Sequence, residues 1–97
     1  ATDKNVVEQA VIQVANETSK EAVKLRDKGK VREAQEVLKS NAGFLSRSAA
    51  KYDSDELKKM EEKNRQDADE LDDAANWNKK RKSLKARQYK LEKQQRY

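Results

Sequence analysis

The sequence predicts an all-α fold, an antiparallel helical hairpin plus one or two long charged helices forming a small bundle, and three observations predict it. Proline is absent and glycine occurs twice in 97 residues. With Ala, Leu, Lys, Glu, Gln and Arg dominating the remainder, that is the vocabulary of long helices. Apolar residues recur at spacings of three and four, the period of one helix face. Two breaks, Asp27-Lys28-Gly29-Lys30 and Tyr52-Asp53-Ser54-Asp55-Glu56, divide the chain into helix-length segments. A single domain is expected, with a thin core: 34% of residues are hydrophobic and 42% charged, and apolar burial must offset the conformational entropy of every ordered residue.

The first helix is expected from about Asn5 to Lys28. Asn5 suits the N-cap, and Glu8 three residues on completes a reciprocal capping box. Val7, Val11, Val14, Thr18, Ala22 and Leu25 fall on one stripe, widened by Val6, Ala10 and Ala15; such a face requires burial. Gly29 then closes the helix in the left-handed conformation, with lysines beside the negative end of its dipole.

The second helix is expected from about Val31 to Lys51, with Ala34, Val37, Leu38, Phe44 or Leu45, and Ala49 inward. Gly43 lies inside it, and a continuous helix is the reading despite a cost of up to about 1 kcal/mol relative to Ala. A tight turn between two such helices makes an antiparallel hairpin, over residues 5–51. Asp53 or Ser54 caps an acidic third helix, over about 54–75, whose stripe of Leu57, Met60, Asn64, Leu71 and Ala74 or Ala75 is sparse. A basic C-terminal helix, over about 76–96, carries Trp77, Leu84 and Leu91 at sevenfold spacing, a coiled-coil-like seam. The expected core is Val7, Val11, Val14, Leu25, Leu38, Phe44, Leu57 and Leu71.

Charge is blocked along the chain. Residues 1–52 carry ten basic and seven acidic groups, residues 53–76 four and ten, and residues 77–97 nine and one, for +5 in all. An acidic block followed by a basic one can pair within the molecule, with a second copy or with a partner.

Histidine and cysteine are both absent. That removes the usual general base near neutral pH, the thiolate nucleophile and the commonest transition-metal ligands. Carboxylate pairs such as Asp69 with Asp72 and Asp73, or Glu61 with Glu62, read as a solvated face, because acid-base work needs a pocket that perturbs pKa. Asp53-Ser54-Asp55 lacks the glycine bend and closing Glu of a calcium loop. Phosphate-cradling motifs are missing. No catalytic site, cofactor or metal is expected. No apolar run approaches a membrane span and no leader is visible, so a soluble, cytoplasmic chain is the expectation.

The remaining feature is the tail, Lys79-Lys80-Arg81-Lys82, then Lys85, Arg87, Lys90, Lys93 and Arg96, interleaved with Trp77, Tyr89 and Tyr97. Trp77, Arg81, Leu84 and Tyr89 are the candidate contact surface. The expected partner is a protein or an adjacent domain of the same chain. Homodimerisation through the 77, 84, 91 seam is a further possibility, and binding of nucleic acid or an anionic membrane by the basic tail is the alternative.

Asn5-Val6-Val7 followed by an Ala/Val-rich helix, the Ala22-x-x-Leu25-x-x-x-Gly29-x-x-x-x-Ala34-x-x-x-Leu38 hairpin, and Arg81-Lys82-x-Leu84 with Tyr89 resemble the C-terminal helical region that follows the von Willebrand factor type A domain in some bacterial proteins. The resemblance covers nearly the whole chain. It implies a fragment of a longer protein, a helical appendage that packs on, braces or regulates a neighbouring ligand-binding domain. That domain's metal-binding Asp-x-Ser-x-Ser loop is not present here, so no metal site carries over.

Overall fold

The computed structural model describes residues 3–94, and they form a small all-α bundle. Its helices are α1 (Lys4–Asp27), α2 (Val31–Tyr52), α3 (Asp55–Glu70) and α4 (Trp77–Gln94), with a 3₁₀ turn at Ala74–Asn76. Among the described residues there is no strand. The ends of the predicted tail, Arg96 and Tyr97, lie outside the described residues.

Helix α1 starts earlier than expected. Asp3, not Asn5, is the N-cap, its carboxylate accepting from Asn5 N at 3.0 Å. Glu8 is thereby released from the predicted capping box and accepts instead from Ser54 Oγ. Ser54 also caps α3 by accepting from Leu57 N. One serine thus starts α3 and ties it to α1. At the hairpin, Gly29 takes φ +81° while Gly29 N donates to Arg26 O and Lys30 N to Leu25 O, both at 2.9 Å, satisfying carbonyls that the end of a helix orphans.

Helix α2 is continuous through Gly43, as the sequence predicts. Nothing in the packing demands that glycine: a Cβ there would meet only the guanidinium end of Arg47, at 3.4 Å. Gly43→Ala is therefore expected to raise stability by about 0.5–1 kcal/mol, measured as a higher urea midpoint.

The acidic helix ends sooner than predicted, at Glu70 rather than near Ala75. Leu71 turns fully into the core, and two outside donors take the carbonyls at the end of the helix: Gln35 Nε2 on Ala68 O at 2.9 Å and Arg26 Nε on Leu71 O at 2.7 Å. Ala74 and Ala75 are consequently exposed rather than core. The break separates α3 from α4, which returns antiparallel.

The bundle is ordered α3, α2, α1, α4, with α2 packed on α1 and α3, and α1 on α2 and α4. Helices α3 and α4 stand apart at the backbone and are joined by side chains. Two apolar clusters fill the interior. One, near the hairpin turn, contains Val23, Leu38, Leu71, Trp77 and Leu84; the other contains Ile12, Leu45 and Leu57, with Phe44, Met60 and Leu91 against it.

Between them lies a polar layer. Asn41 Nδ2 donates to Ala15 O at 3.0 Å and to Asn64 Oδ1 at 2.9 Å, and Asn64 Nδ2 to Met60 O at 2.9 Å. Gln88 Nε2 donates to Ser19 Oγ at 2.9 Å. Satisfied buried amides of this kind fix which residues face each other, since any slip in register leaves them unpaired.

The polar layer explains the main error in the expected core. The buried face of α1 is Ile12, Ala15, Asn16, Ser19, Ala22 and Val23, rotated away from the valine stripe because two of its members are polar. Val14 is 55% exposed and Val6 60%, while Val7, Val11 and Leu25 are half-buried at the margin. In α2, Leu45 is the fully buried residue and Phe44 flanks it. Leu38, Leu57 and Leu71 occupy the core as expected.

Candidate interaction surface on the fourth helix

Helix α4 has two chemically distinct sides. Trp77, Leu84 and Gln88 are buried, and Leu91 packs on the second cluster. The predicted sevenfold seam is therefore an intramolecular one, used up against α1 and the core. Trp77 and Leu84, two of the four candidate contact residues, are interior side chains at 8% and 1% exposure. With so few large apolar groups in the chain, these are the ones whose burial gains most. Arg26 stacks over the Trp77 ring with 4.8 Å between guanidinium carbon and centroid.

Arg81 and Tyr89 are the candidates left near the surface. Arg81 Nε reaches both oxygens of Asp27 at 2.9 Å, pinning the start of α4 to the end of α1. Tyr89 is 61% exposed, with Lys93 Nζ 5.5 Å from its ring centroid.

The tail's cations divide by helical phase. Lys80, Arg81 and Arg87 turn toward the bundle. Lys80 Nζ lies 2.7 Å from Asp67 Oδ1 and also contacts Glu70, and Arg87 Nη2 lies 2.6 Å from Asp67 Oδ2. The Lys80 contact on Oδ1 lacks hydrogen-bond direction and is an ion pair. These pairs are the internal neutralisation that the charge blocks allow. Burial works against the charge of Lys80, yet Asp67 and Glu70 outweigh it and hold its pKa above the ordinary value. The Lys80 ammonium in turn holds the Glu70 carboxyl below its ordinary value. On the flank, Lys20 contacts Glu92 at 3.3 Å, which raises the Lys20 pKa.

Lys79, Lys82, Lys85, Lys90 and Lys93 project outward, all exposed. None of the five is in an ion pair among the described residues. From Lys79 to Lys93 they cover about 21 Å of helix at 1.5 Å per residue, with Tyr89 among them. Sequence reasoning found every one of these cations. It had no means of sorting bonded from free, because that depends on where α3 places Asp67.

No family model, characterised protein or solved structure matches the chain. Among the described residues no helix is long and apolar enough to cross a membrane, and no group of three or more acidic side chains is placed to hold a metal ion.

Proposed function

We infer that this chain is a non-catalytic docking and bracing module that sets the outer face of α4 against an acidic protein surface. The observation that carries the reading is the row of five unpaired lysines around exposed Tyr89. Desolvating a free ammonium is costly unless an opposite charge meets it, so this face favours an anionic partner and repels a cationic one. The likeness to helical regions that follow von Willebrand factor type A domains makes an adjacent domain of a longer chain a natural partner.

Two features favour a protein over the other polyanions. Nucleic-acid grooves combine cations with stacking platforms, and this face offers one aromatic, while Arg81 and Arg87, the better phosphate-binding type, are already engaged with carboxylates. A helix lying on a lipid surface needs a free apolar side, and that of α4 is committed to the core.

The test is a titration of the ¹⁵N-labelled chain with oligo-glutamate, with a single-stranded oligonucleotide and with phosphatidylglycerol vesicles, at low and high salt. Amide shifts should follow oligo-glutamate, centre on residues 79–93 and fade with added salt. Replacing all five lysines with Gln should remove the response with little change in Tm, because exposed unpaired charges contribute little to folding. Shifts scattered over other helices, or oligonucleotide binding roughly tenfold tighter than oligo-glutamate, would overturn the assignment.

A further inference from the structure

The gap between α3 and α4 opens into a trough of about 310 Å³ over the middle of α1. Ile12 and Asn16 form its floor, Met60 and Leu91 its walls, and Lys59 and Lys63 stand at its mouth. The lining is mostly carbon, and the volume is at the low end of the roughly 300–1,000 Å³ typical of small-molecule sites.

Asn16 is 3% exposed. Its Nδ2 donates to Gln88 O at 3.1 Å, which fixes the orientation of the amide. Its Oδ1 is buried with no hydrogen-bond partner, whereas the neighbouring amides of Asn41 and Asn64 bond to each other. With almost no surface open to solvent, that oxygen is closed to an occupant of the trough as well, which meets Ile12, Met60 and Leu91 instead.

The charges at the mouth specify more. Arg87 is held by Asp67, which leaves Lys59 and Lys63, one helical turn apart and exposed, outside any ion pair among the described residues. Against them stands one carboxylate without an ion pair, Glu56. The balance at the entrance is cationic.

We propose that this trough binds a small organic anion. Its apolar body lies against Ile12, Met60 and Leu91, and its acidic group rests between Lys59 and Lys63. The site is separate from the lysine face of α4, and its occupancy does not depend on that surface having a partner.

8-Anilino-1-naphthalenesulfonate has this chemistry, an aromatic body with one sulfonate. Titrated into the natively folded chain, the anilino compound should saturate at one equivalent, with amide shifts around Ile12, Asn16, Met60 and Leu91. The Lys59→Gln/Lys63→Gln variant, changed only at exposed positions, should bind about tenfold more weakly. Met60→Trp, which fills the trough, should abolish binding while keeping the native amide spectrum elsewhere. Fluorescence that does not saturate, shifts away from the trough, or equal affinity in the double-lysine variant would each overturn the proposal.

Discussion

Asp67→Ala is expected to lower the free energy of unfolding by about 3 kcal/mol, seen as a lower urea midpoint with an unchanged slope. The Asp67 side chain is 2% exposed and meets two cations, Lys80 at 2.7 Å and Arg87 at 2.6 Å. Removing the carboxylate leaves Lys80, with a side chain 14% exposed, as a partly desolvated charge with only Glu70 to neutralise it. Arg87, at 30%, can extend its guanidinium into water, which keeps the loss at the lower end of the range for a broken buried pair. Changing Asp67 to Leu together with Lys80 to Met should recover most of the stability, because neither desolvated charge then remains.

The same contacts set the direction of the pH dependence. Glu70 has a folded-state pKa below its ordinary 4.5, so its contribution is present above that value and is lost as pH falls through the lowered one. Lys80 has a folded-state pKa above its ordinary 10.5, so its contribution holds below that value and is lost as pH rises through the raised one. Urea midpoints should therefore drop at both extremes. The acid limb of a Glu70→Gln variant should be shallower only slightly, since the Glu70 side chain is 42% exposed and such pairs are screened.

Trp77→Ala is expected to cost about 3–5 kcal/mol, the range for removing a large buried aromatic. Trp77 is 8% exposed within the cluster of Val23, Leu38, Leu71 and Leu84, and its stacking with Arg26 adds roughly 0.5–1 kcal/mol at a partly exposed site. Against a typical total of about 5–15 kcal/mol for a domain, such a loss should leave a visibly populated unfolded state in thermal melts. Trp77→Phe should retain most of the parent's stability. An unchanged melting temperature in Trp77→Ala would place the indole at a partner surface and refute its role in the core.

Much of this architecture was legible in the residues. Gly29 marked the hairpin because glycine takes the positive φ of such a turn at no steric cost, and Ser54 was one of two residues named to cap α3. The second helix was placed to within a residue, since Gly43 was the one competing signal in Val31 to Lys51 and its cost is small against that of breaking the helix. The valine stripe of α1 misled. Val14 and Val6 are apolar but face outward, and the side that packs includes Asn16 and Ser19, whose burial becomes favourable only once Gln88 arrives from α4. Hydrophobic periodicity scores an amide as a surface residue, and a partner 72 positions away is invisible to it. Two of the four contact candidates turned inward for the same reason: Trp77 and Leu84 were the most adhesive groups of the tail, and the chain's own core took them, while Tyr89 stays exposed.

By itself the sequence determined the helical class, the hairpin turn at Gly29, the break before the acidic helix and the segregation of acid from base, since each of these follows from local propensity and pattern; whether the acidic and basic segments form one helix or two it left open. Only the tertiary structure decided the rest: which side of α1 is interior, that Asp67 neutralises Lys80 and Arg87 while five other lysines stay free, and that a trough remains where α3 and α4 do not close. Burial and ion pairing depend on distances between residues far apart in the chain. Composition sets how many charges and apolar groups there are, and the packing of one helix on another assigns each of them a neighbour.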